Sequence, residues 1–153
     1  MARLSQADAV EFQAIKALCY SGLDSATLRE RAGDRLARHF RAASFCFGAS
    51  DPATALPVHS VTVGLGPESI AAFLRLVLAT PALDFSPWVK RPQRVARLEE
   101  LVDDVERDPY MTEVLRPAGL RYDMQTACVS SGRTWGHLCL RRSAEELIRV
   151  FAG

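Results

Sequence analysis

Thiol, imidazole, thioether and indole groups gather near the end of the sequence, in two short runs, Tyr122 to Val129 and Thr134 to Leu140. Both runs are apolar enough for strands, and Ser130-Ser131-Gly132-Arg133 between them reads as the turn of a β-hairpin. Side chains alternate across a strand, so a loop of even length predicts one face carrying Tyr122, Met124, Thr126 and Cys128 together with Trp135, His137 and Cys139. Such a mixture of aromatic, sulfur, hydroxyl and imidazole groups suits the lining of a small-molecule pocket. Cys46 and His59, from two earlier strand-like runs, complete the candidate walls, and Trp88, from a loop, is a candidate lid.

The same residues admit other chemistry. As ordinary core they need only one satisfied histidine. As ligands, Cys128, His137 and Cys139 offer thiolate and imidazole groups to zinc or a soft metal, although a structural zinc site usually takes four ligands and shows close CxxC pairs, which this sequence lacks. As a catalytic group, Cys128 or Ser130 near His137 would need an orienting acid, and no nucleophile-elbow motif accompanies them. The expectation is a binding domain with no metal and no catalytic residue, its cofactor unknown. His39 at a helix end and His59 in a strand also have a simple structural reading, and Glu99-Glu100 and Asp103-Asp104 read as solvated surface.

The elements that must position the hairpin can be read from period and punctuation. Ser5 to Tyr20 carries Val10, Ala14, Ala17 and Leu18 at helical spacing and stops at Gly22. Asp24 can cap a second helix with Leu28, Ala32, Leu36 and Phe40 on one face. Ala43 to Ala49 and Val58 to Val63 read as strands, with Ser50-Asp51-Pro52 as a turn between them. Gly66-Pro67-Glu68 opens a third helix that ends by Pro81, and Ala82 to Arg94, with three prolines, reads as a long loop. Asp108-Pro109 opens a further helix stopped near Pro117 and Gly119, and Ser143 caps a last one from Ala144 to Phe151. Helices and strands in this order predict one α+β domain over residues 1–153 with a central, mainly antiparallel sheet.

Composition sets outer bounds. With 153 residues, 48% hydrophobic and 24% charged, the chain has the make-up of one globular domain. A formal net charge of +1 gives no field to gather a polyanion, so direct nucleic-acid contact is not expected. No apolar run reaches the about 20 residues that span a bilayer, and Met1 to Val10 is too polar for a signal peptide, so a cytoplasmic protein without membrane contact is expected. Cys19, Cys46, Cys128 and Cys139 are widely spaced, and in a reducing compartment they stay thiols.

Four short strings also carry a resemblance. Leu18-Cys19-Tyr20-Ser21-Gly22-Leu23-Asp24, then Asp51-Pro52-Ala53-Thr54 with Leu56-Pro57, then Val114-Leu115-Arg116-Pro117-Ala118-Gly119-Leu120, then Trp135-Gly136-His137-Leu138-Cys139-Leu140 occur in this order. Together they make the chain resemble the GAF-like N-terminal sensor domain of LuxR-type helix-turn-helix transcriptional regulators of actinobacteria. The resemblance implies a GAF/PAS-like fold, a pocket between the sheet and its covering elements, and terminal helices that form a homodimer and relay a signal. It also implies a small-molecule ligand and a C-terminal or separate DNA-binding unit, since this chain stops at Gly153. A ligand-free dimerisation or protein-interaction module is the alternative, and a small thiol-dependent enzyme a more distant one.

Overall fold

A computed structural model of the chain describes residues 4–79 and 93–143. Two helices come first, α1 (Gln6–Cys19) and α2 (Ser25–His39), followed by strands β1 (Ser44–Ser50) and β2 (Pro57–Val63) and helix α3 (Pro67–Ala79). After them come β3 (Val95–Arg97), a 3-10 turn (Leu98–Glu100), a π-helix (Tyr110–Leu115), β4 (Tyr122–Ser130) and β5 (Arg133–Arg142). The five strands form one antiparallel sheet in the order β2-β1-β5-β4-β3. Flanked by helices, it is the α+β, GAF/PAS-like architecture expected.

Local chemistry accounts for the helix starts. Ser5 and Asp8 form a reciprocal capping box at the head of α1, and the Asp24 side chain accepts from the backbone N–H groups of Ala26 and Thr27 at the head of α2. Among the described residues α1 buries none of its side chains. Its ties to α2 include the Glu11–Arg35 ion pair and a hydrogen bond between Asp8 and His39, each 2.8 Å.

The two sheet faces are built differently. Phe45, Met124, Leu138 and Leu140 pack with Ala37 and Phe40, an apolar layer beneath α2. On the other face Cys46 and Cys139 lie against Ala72 and Phe73 of α3 and against Tyr110, Met111, Val114 and Leu115 of the π-helix.

Three expectations change in detail. The helix expected after Asp108-Pro109 is a wide π-turn: the Arg116 N–H bonds back five residues to the Met111 carbonyl. It closes as a Schellman motif, Gly119 taking φ +71° while Leu120 N–H reaches the Leu115 carbonyl. β3, only three residues long, lies in a stretch where no strand was expected. The third change concerns the hairpin. Its turn is the two residues Ser131 and Gly132, both at positive φ, which matches an even-length loop. The register then slips, however, because Val129 pairs Thr134 while Cys128 pairs Gly136, so Trp135 is the extra residue of a β-bulge. The end of the third helix beyond Ala79, most of the Ala82 to Arg94 loop, Trp88 and the final helix from Ala144 lie outside the described residues.

Candidate functional site

The bulge at Trp135 reverses the face assignment predicted for the hairpin. His137 pairs Ala127 and Gly48, Cys139 pairs Gln125 and Cys46, and Arg141 pairs Asp123 and Ser44, so these nine residues share the face beneath α3 and the π-helix. Met124, Thr126 and Cys128 share the opposite face with Leu140, Leu138 and Gly136, beneath α2. Of the predicted pocket walls, Cys46, His137 and Cys139 are thus brought together and buried. Met124 belongs to the apolar core, Cys128 is exposed, and Trp135 is 52% exposed with its Nε1–H donating to the Ser130 carbonyl. His59 is exposed on β2, on the α2 side, where Arg29 donates to its Nδ1 at 3.1 Å.

Arg141, which the hairpin reading placed outside the strand, is the centre of the buried polar face. It is fully buried, its Nε donates to the Tyr110 hydroxyl at 2.8 Å and lies 3.5 Å from Asp123 Oδ1, and its Nη1 donates to Ser44 Oγ at 3.3 Å. Gln125 donates to the other Asp123 oxygen at 2.7 Å, and Tyr110 donates to Oδ1 at 3.4 Å. The guanidinium stands over the rings of Phe73 and Tyr110, 5.7 and 5.9 Å from their centroids. One donor is left over: Arg141 Nη2 is buried and has no hydrogen-bond partner among the described residues.

Burial governs the protonation states here. It raises the Asp123 carboxyl above its usual range, against the pull of Arg141, Gln125 and Tyr110, and it raises the Tyr110 hydroxyl and the Cys139 thiol well above theirs. It also disfavours the charge on Arg141, but Tyr110, Cys139 and Asp123 outweigh that effect and the guanidinium stays protonated. His137 is pushed down to about 4, first by burial and then by Arg141 and Arg29, so it is neutral at physiological pH. Its ring covers Gly48, where a Cβ would collide with it.

This arrangement can hold a polar group, and it is poorly suited to nucleophilic catalysis. Cys46 and Cys139 face each other across β1 and β5 as buried free cysteines, with Cys46 Sγ 2.9 Å from Ser60 Oγ. Cys128 is exposed as a residue, yet the protein mass around its sulfur, with Cys19 nearby, holds the thiol above its ordinary range. The Cys128, His137, Cys139 metal set fails on topology, since Cys128 and Cys139 lie on opposite faces, and no cluster of three metal-ligating side chains occurs among the described residues. The sequence did hold a signal for the missed pair: Asp123 and Gln125 fall on the hairpin face expected to pack under helices, and a charge there demands a buried partner.

No protein-family model matches the chain, and no curated protein is similar to it. Among the described residues no helix is long and apolar enough to cross a membrane.

Proposed function

We propose that the chain is a regulatory sensor domain that takes a small molecule on the polar face around Arg141 and relays its presence through the helices packed on the sheet. The observation that carries this reading is the unsatisfied Arg141 Nη2. A buried donor without an acceptor costs about 1–3 kcal/mol, and an acceptor atom on a ligand would remove that cost, so ligand binding and fold stability are coupled. The GAF/PAS-like architecture and the resemblance to the sensor domains of LuxR-type regulators support the same reading. On this account DNA is contacted by a separate or C-terminal unit, the cytoplasm is the site of action, and the domain itself catalyses no reaction.

A thermal-shift screen of small polar metabolites tests it. A compound carrying a carbonyl or carboxylate acceptor should raise the melting temperature by about 3–6 °C at ten times its dissociation constant. If no member of a broad set shifts the transition, the sensor reading loses its support.

A second reading has one observation of its own. Val10, Phe12 and Tyr20 in and after α1 are 62%, 57% and 81% exposed, and α1 buries no residue, which favours a dimerisation module. Light scattering tests this second reading: a monomer at micromolar concentration removes it, whereas a dimer is compatible with both.

A further inference from the structure

A second arginine presents the opposite problem from Arg141. Arg29 of α2 is 8% exposed, so its guanidinium has been taken almost wholly out of water. Its Nε donates to the Ser25 carbonyl at 3.0 Å and its Nη2 to His59 Nδ1 at 3.1 Å, both neutral acceptors. Its Nη1 is buried with no hydrogen-bond partner, and none of the ion pairs among the described residues includes it. The acid that follows β1, Asp51, is occupied: its carboxylate accepts from the backbone N–H groups of Ala53 and Thr54. Buried charges in folded proteins are paired, because an uncompensated one is costly. Arg141 has Asp123, whereas Arg29 has no acidic partner among the described residues.

The surroundings supply a further donor. Since the guanidinium can only donate, His59 Nδ1 is the acceptor and the ring proton sits on Nε2. His59 is exposed, so its ring lies at the surface beside the buried guanidinium. We infer that Arg29 and His59, at the joint between α2 and the β1–β2 pair, form a site for a small oxyanion, the carboxylate or phosphate group of a ligand. The site lies on the α2 side of the sheet, opposite the Arg141 cluster, and stands or falls independently of the sensor reading.

The test is a titration of the whole chain, followed by amide chemical shifts, with sodium phosphate in one arm and sodium acetate in the other, each against sodium chloride at equal ionic strength. The expected result is a saturable shift confined to the amides of residues 25–29 and 58–60 in at least one arm. Saturation by phosphate alone assigns a phosphoryl ligand, and saturation by acetate alone or by both assigns a carboxylate. Arg29→Met should weaken binding at least tenfold. His59→Ala, at an exposed position that leaves the fold intact, should weaken it about three- to tenfold and serves as the test if Arg29→Met does not fold. Shifts that fail to saturate in both arms overturn the proposal, as does undiminished binding by the folded variants.

Discussion

His137 shows how burial at one residue becomes a property of the whole chain. The ring is neutral in the folded state because charging it inside the sheet face is opposed by burial and by two arginines, whereas in the unfolded chain it protonates near the ordinary histidine value of 6.5. The unfolded state therefore binds the extra proton first. Stability is lost as pH falls from 6.5 toward about 4, with a slope approaching about 1.4 kcal/mol per pH unit for this single group. Urea denaturation of wild type and His137→Gln across that range should show the difference between them shrinking as the pH drops; a constant difference would mean that His137 charges equally easily in both states. The sequence placed His137, Cys139 and Cys46 together correctly. It missed Arg141 because the predicted strand stopped at Leu140, one residue before the charge that organises the face.

At the scale of elements, the hairpin decides which residues meet. Val129, Ala127, Gln125 and Asp123 alternate without interruption on the inner face of β4, but on β5 the count from Thr134 to His137 includes one residue too many. Trp135 absorbs it. Its removal leaves Thr134 adjacent to Gly136, so the ladder from Ser130–Arg133 to Tyr122–Arg142 becomes regular with every other side chain on its present face. Deletion of Trp135 should accordingly preserve the fold at a cost of about 1 kcal/mol, chiefly the indole hydrogen bond to Ser130. Deletion of Leu138 should abolish cooperative unfolding by turning Cys139 and Arg141 to the wrong face. Circular dichroism melts compare the two. A bulge leaves no mark on strand periodicity, so parity counting from a correctly identified turn still assigned Met124, Thr126 and Cys128 to the wrong side. β3 was illegible for a different reason: three residues contain no repeat to read.

For the molecule as a whole, helix caps, proline and glycine positions, and the change of period after Phe40 were enough to predict an α+β domain with a mainly antiparallel sheet, and only the resemblance implied its GAF/PAS-like form. Those signals are local and strong, and the antiparallel pairing of all five strands agrees with them. The proposed function rests on a weaker signal, a buried donor set on one sheet face where Arg141 Nη2 has no acceptor among the described residues, and it holds that a ligand supplies that acceptor. Native mass spectrometry of the chain is the most direct test, run beside a variant in which Asp123→Leu and Arg141→Met remove the buried pair together, a replacement that is often near neutral for stability. The account predicts an added mass on the folded wild-type chain that is lost on denaturation and is absent from the double variant. The same added mass on both proteins, or a wild-type chain that stays bare in the presence of every compound offered, would contradict it.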